Sequence, residues 1–178
     1  SLKTIELDMI QLLPLSKPVQ TAKDYKAYLT RTLLNRLCKM RMNAWAFENP
    51  SYRKASIQYS SFLNATGVLL CSVELLPGKM EKGISEFIAQ QQQIFRYGFT
   101  ETEIERAKKV IYNNLENKLQ NQQNPASVEL MNDIYADFYV GNRFTSLHEE
   151  YRLVQRYFPV LASVALVRNL AKVYSPQK

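Results

Sequence analysis

The sequence predicts an α+β fold: a two-layer sandwich in which an antiparallel sheet of three or four strands is covered by helices, with a helix-rich C-terminal half. Three observations predict it. Segments 4–13, 55–60 and 68–76 alternate apolar and polar residues with the period of a half-buried strand. Between the first two, residues 22–46 place apolar side chains at spacings of three and four. Beyond Pro77-Gly78 every apolar pattern has the helical period. Strands gathered at one end and helices at the other point to helices segregated on one sheet face.

The first strand, Thr4 to Leu13, puts Ile5, Leu7 and Met9 on one side and Glu6 and Asp8 on the other; Pro14 and Pro18 close it. The long helix from about Ala22 to Ala46 carries the stripe Tyr25, Leu29, Leu33, Leu37, Met40 and Ala44, with Arg31, Asn35 and Lys39 away from it. Asn49-Pro50-Ser51 ends that helix. A hairpin follows: Ala55, Ile57 and Tyr59 alternate with serines and Gln58, the chain turns at 64–67, and Cys71, Val73 and Leu75 share one face of the return strand. Where the first strand enters the sheet stays open.

The next helix, Met80 to Tyr97, has Ile84, Phe87, Ile88 and Phe95 as its apolar residues, and Gln90 to Gln93 read as an exposed surface. Gly98 suits the left-handed residue just past a helix end. Thr100 and Glu103 then form a capping box for a helix reaching about Gln120 on Ile104, Ala107, Ile111 and Leu115, with Glu105 and Lys109 as an i,i+4 pair. Pro125 opens a further helix with Val128, Met131, Tyr135 and Phe138, ended by Gly141. Ser146 and Glu149 form a second capping box before Leu147, Tyr151, Val154 and Phe158, and a last helix runs from Val160 to about Tyr174. No internal repeat is visible.

At 178 residues the chain suffices for a single domain with a real core, and residues 1–178 are read as one. The longest apolar runs fall far short of the about 20 residues that cross a bilayer, so no membrane insertion is expected. No signal peptide precedes the first strand, and the chain starts at Ser1 without an initiator methionine. We therefore expect a piece of something longer, although a processed mature protein would look the same. Cys38 and Cys71 both fall in apolar patterns, which predicts two buried thiols and no disulfide framework.

The net charge of +7 raises nucleic-acid binding, because residues 23–41 alone carry +5 of it. A phosphate-tracking surface needs its cations on one side. Lys26, Arg31, Arg36, Lys39 and Arg41 instead spread around the helical wheel, so no nucleic-acid partner is expected.

Catalytic chemistry is missing as well. Zinc needs three or four His, Cys or carboxylate ligands, and His148, beside Glu149 and Glu150, is the single histidine. Neither His-Glu-x-x-His nor His-x-x-Glu-His occurs. There is no Gly-x-Ser-x-Gly elbow and no glycine-rich phosphate loop. No catalytic or metal residue is expected in this chain.

Three stretches resemble the second, zinc-free domain of pitrilysin/insulinase-type zinc metallopeptidases, in particular their bacterial periplasmic or secreted branch. Asp24-Tyr25 leading to Leu33-Leu34-Asn35-Arg36-Leu37 is similar to that domain's first long helix. Glu74 to Lys79, then Arg96-Tyr97-Gly98-Phe99-Thr100-Glu101-Thr102-Glu103-Ile104-Glu105-Arg106-Ala107-Lys108, resembles the family's Arg-x-x-Gly-Phe-Thr-x-x-Glu-Leu-x-x-Ala-Lys. Phe138-Tyr139-Val140-Gly141 resembles the end of a later helix. The match covers nearly the whole chain and keeps the order of elements. Arg96, Gly98, Phe99, Thr100 and Glu103 are its structural signature.

The resemblance implies a structural domain that walls a substrate chamber in a zinc endopeptidase acting on peptides or unfolded polypeptide. Zinc is then expected in the first domain of the parent, on His-x-x-Glu-His, with no cofactor here. The implied partners are that zinc-bearing domain, the second half of the same parent chain and, through the parent, a peptide substrate. Both zinc histidines of the catalytic pattern are absent here, so no catalytic role carries over. Two alternatives stay open: a non-enzymatic partner-binding module, and a domain of a catalytically dead pseudo-peptidase.

Overall fold

The computed structural model of the chain describes residues 5–15, 17–48, 51–62, 66–121 and 146–161. The order is β1 (Ile5–Leu13), α1 (Ala22–Glu48), β2 (Tyr52–Phe62), β3 (Thr66–Leu75), α2 (Met80–Tyr97), α3 (Glu101–Gln120) and α4 (Leu147–Tyr157), which runs into a 3-10 turn at Phe158–Val160. This is the expected α+β architecture. The helices expected from Pro125 and toward Tyr174, and the 138–141 motif, lie outside the described residues, as do positions 64 and 65 of the hairpin turn.

The sheet order is β1-β3-β2, antiparallel throughout. The most apolar strand takes the middle, where both of its edges are hydrogen-bonded. Leu69, Cys71, Val73 and Leu75 point inward and are buried. Leu7 and Ala55 stand opposite Val73, and Met9 and Ile57 opposite Cys71, so one layer of inward side chains crosses all three strands. Side chains on β1 have a neighbouring strand on one side only, and Leu7 and Met9 are half-buried. Ile5, expected on the covered side, is exposed at the strand's end.

Helix α1 packs over this layer. Thr21 and Asp24 start it with reciprocal bonds: the Asp24 amide donates to Thr21 Oγ1 (3.2 Å) and the Thr21 amide to Asp24 Oδ2 (2.9 Å). Its buried face is wider than the expected stripe, taking in Thr30, Leu34, Cys38 and Met42 beside Tyr25, Leu29, Leu33 and Leu37. Ala44, expected in the stripe, is exposed, and Met40 is only half-buried. The covered face lies between the sheet and α3, so residues on two adjacent flanks are both enclosed. Asn35, expected away from the core, grips β2: its amide donates to Tyr59 O and accepts from Tyr59 N, each at 2.9 Å.

Helix α2 follows a turn in which Gly78 has φ +75°, and it approaches the sheet very closely at Gly83. A Cβ there would stand 2.6 Å from Leu75 Cδ2 and 2.9 Å from the Ser51 carbonyl oxygen. Gly→Ala in a helix ordinarily gains about 1 kcal/mol. Gly83→Ala is expected to reverse that sign and lose about 1–3 kcal/mol, because backbone has to move to admit the methyl. Urea unfolding measures it; a stabilised variant would show that α2 stands further from the sheet. Ile94 and Phe87 are buried on this helix while Ile88 is exposed, a rotation from the expected face. The glutamine run is not wholly solvent-facing. Gln90 accepts the Tyr52 hydroxyl, and Gln91 hydrogen-bonds the Cys71 thiol.

On α3, Ile104, Ala107 and Leu115 are buried and Ile111 is half-buried. The expected Glu105–Lys109 pair is replaced by Glu105 with Lys108 (2.8 Å), since Lys108 lies on the covered flank and Lys109 points to solvent. Helix α4 is tied back by Tyr25 Oη donating to Glu150 (3.2 Å) and Tyr151 Oη donating to Glu116 (2.9 Å). Its capping box is half-made: Ser146 accepts the Glu149 amide, but the Glu149 carboxylate is taken by Arg152. Cys38 and Cys71 are both buried, and neither is in a disulfide. Burial pushes the Cys71 thiol up to about 11, against the Gln91 hydrogen bond, so it is not a thiolate at neutral pH. No described helix is long and apolar enough to cross a membrane.

Candidate functional site

The signature residues meet at the joint between α2 and α3. Gly98 ends α2, its amide donating to Ile94 O (2.8 Å). Its φ of 69° with ψ of −140° belongs to a region open almost only to glycine, and its ψ lies far from that of the expected left-handed cap. That turn drives Phe99 into the core, where it is buried. Thr100 caps α3 in a complete capping box: Thr100 Oγ1 accepts the Glu103 amide (3.3 Å) and Glu103 Oε2 accepts the Thr100 amide (2.8 Å). Arg96 is exposed in the last turn of α2, where its charge complements the helix C-terminus, and takes no other part among the described residues.

Sequence reasoning missed the residue that joins these parts. Arg41, 62 positions before Glu103, reaches over from α1. Its Nε donates to Glu103 Oε1 (2.7 Å), its Nη2 to Glu103 Oε2, and its Nη1 to the Gly98 carbonyl (2.8 Å). The guanidinium carbon stands 4.6 Å from the Phe99 ring centre and 5.9 Å from that of Trp45. A planar fork on a carboxylate, held between aromatic rings, is what arginine does better than lysine. Position 41 reads as one of several dispersed cations, and nothing in the helical wheel sets it apart, since exposed Lys23 falls at the same angle.

Beside this latch lies an open groove of about 440 Å³ lined by Arg41, Trp45, Gln93, Tyr97, Phe99 and Thr100. Burial opposes charge on Glu103, but the hydrogen bonds from Arg41 and Thr100 outweigh it and hold the carboxyl below its ordinary value. A depressed carboxyl adds stability that is present above its unfolded value and lost as pH falls through the folded one. The stability gap between the protein and Glu103→Gln should therefore be full at pH 6 and shrink in acid below about pH 4. Thermal melts across that range check this; a gap constant down to pH 2.5 would contradict it.

The latch can fix shape but offers no reactive group. All three guanidinium nitrogens already donate, and Glu103 is engaged from both sides. A second groove of about 750 Å³ between α3 and the 3-10 turn contains Arg106, Lys108, Lys109 and Tyr112, and its buried Lys108 is paired with Glu105. Among the described residues no group of three His, Cys, Asp or Glu side chains could hold a metal ion. His148 is exposed on the first turn of α4, and its two acidic neighbours are bonded to Arg152 and Tyr25. The described residues do not fit a zinc site.

No family model and no curated protein matches the sequence. Solved structures do match the fold. The periplasmic protease PqqL from Escherichia coli superposes with a TM-score of 0.85 at 15% identity, over 98% of this chain and 19% of its own. A predicted insulinase family protease from Yersinia pestis gives 0.79 at 11% identity, over 94% and 36%. A peptidase M16 inactive domain from Pseudomonas fluorescens gives 0.67 at 14% identity, over 96% and 38%. The chain thus spans about a fifth of the E. coli protein, and its fold is that of domains in M16/insulinase-type proteases, as the resemblance implied.

Proposed function

We propose that this chain is the second, zinc-free domain of an M16/insulinase-type zinc endopeptidase, a scaffold that walls the substrate chamber and leaves catalysis to its neighbour. The observation that carries this reading is the similarity over nearly the full chain to a domain that is a fraction of larger proteases, one described as an inactive domain. The site chemistry agrees with it, since the signature residues are consumed in holding α1, α2 and α3 together. In this reading the zinc-bearing domain and the second half of the parent are the partners, and peptide or unfolded polypeptide is the substrate. Zinc sits in the parent's first domain, and the parent works in the periplasm, like the E. coli relative.

Metal analysis and peptidase assays on this chain and on the full-length gene product test the proposal. The dialysed chain is expected to hold no stoichiometric zinc and to leave a quenched fluorogenic peptide intact, whereas the full-length protein holds zinc and cleaves it. Chelator-sensitive cleavage by the chain alone would overturn the reading. A full-length protein without zinc and without activity would replace it by the pseudo-peptidase alternative.

A further inference from the structure

The sheet face turned away from the helices carries a pattern that the proposed scaffold role does not use. Its residues form a grid fixed by the strand register. Across β1, β3 and β2 the rows read Glu6–Glu74–Lys54, Asp8–Ser72–Ser56, Ile10–Leu70–Gln58 and Leu12–Val68–Ser60. All four β1 side chains are exposed, Ile10 at 65% and Leu12 at 70%. A solvated face of an antiparallel sheet is ordinarily polar, yet two adjacent rows here place Ile10, Leu70, Leu12 and Val68 side by side. Next to them, in a chain of net charge +7, Glu6 and Asp8 form no ion pair among the described residues. Glu6 stands across from Glu74, a like-charge pairing that costs stability; Glu74 itself is paired with Arg53 at 3.3 Å and lies across from Lys54, so the acidic charge left open on this face is that of Glu6 and Asp8. The face has an apolar end and an acidic end.

We propose that this face docks an extended polypeptide segment in which apolar side chains are followed, at alternate positions, by basic ones. The inference rests on the proposed function, which supplies unfolded polypeptide as the occupant. Spacing supports it: same-side residues of an extended chain repeat every 6.8 Å or so, as do the rows of the grid. Charge supports it too, because lysine or arginine would meet the unpaired Glu6 and Asp8 while leucine-like residues cover Ile10 and Leu12. The area argues against a docked domain or a second copy. The two apolar rows on β1 and β3 cover on the order of 100 Å², whereas a stable protein interface takes about 800 Å² per partner. A contact this small suits a segment that is held briefly and let go.

Fluorescence anisotropy tests the proposal with two labelled 12-residue peptides in a glycine–serine background. One has leucine at two alternate positions followed by lysine at two alternate positions; the other has glutamate for lysine. At low salt the 178-residue chain is expected to bind the lysine peptide at least threefold more tightly. Ile10→Ser with Leu12→Ser should weaken that binding at least fivefold, and Glu6→Lys with Asp8→Lys should invert the preference. These side chains face solvent, and circular dichroism melts check that each variant folds. Equal binding of both peptides, or a lysine preference that survives the charge reversal, overturns the proposal. So does protection of Ile10→Cys from maleimide in the full-length protein, which would reveal a domain lying on this face; rapid labelling supports an open one. Loss of the preference in a parent that still cleaves peptides removes the docking face alone, whereas a preference kept by an inactive parent counts against the peptidase reading and for the face.

Discussion

Ala107→Glu is expected to destabilise the protein by about 4 kcal/mol or more, the largest effect of any single change considered. Ala107 is fully buried on α3, at the contact of that helix with the core. A glutamate there either leaves an unpaired charge in an apolar setting or takes up a proton to avoid it, and both cost free energy. Its extra atoms must also be fitted into a packed interior, for about 1–3 kcal/mol more. With total stabilities of about 5–15 kcal/mol for ordinary domains, the melting temperature should fall on the order of 10 °C, or cooperative folding should be lost. Asn114→Glu, on the exposed flank of the same helix, is the control and should change stability by no more than about 0.5 kcal/mol. Equal melting temperatures for both variants would mean that α3 turns another face inward.

The second large effect is expected at Arg41. Arg41→Ala strands a partly buried Glu103 carboxylate, leaves the Gly98 carbonyl without its donor, and removes the cation from between Phe99 and Trp45. Water reaches Glu103, whose side chain is 33% exposed, so the loss should be nearer 2 than the about 3–5 kcal/mol of a fully buried broken pair. Arg41→Lys keeps the charge but not the fork, and is expected to recover less than half of the loss. In a double-mutant cycle with Glu103→Gln the two losses should fall short of adding, by about 1 kcal/mol. Strict additivity would show that the pair contributes nothing of its own in solution.

What the sequence made legible follows from distance along the chain. The capping box at Thr100 and Glu103 spans three residues, and the glycine at position 98 is demanded by a local backbone angle; both are visible as short patterns. Strand alternation likewise exposed the inward face of β3. Arg41 and Asn35 were hidden because their partners, Glu103 and Tyr59, lie 62 and 24 positions away, and polar residues on a helix read as solvated until a neighbour is known. The misplacements at Ala44, Ile88 and Lys109 share a different cause. Periodicity fixes that a helix is amphipathic without fixing where the covered sector begins or how wide it is. The sheet order needed long-range pairing information that no local pattern holds.

The joint between α2 and α3 also has a temporal meaning. Its capping box closes a loop of three residues, while the Arg41–Glu103 contact closes one of 62, and closing a chain costs more entropy as the loop lengthens. The bend can therefore be set by its own residues before the Arg41–Glu103 contact closes. The guanidinium is then a bolt across a hinge already bent.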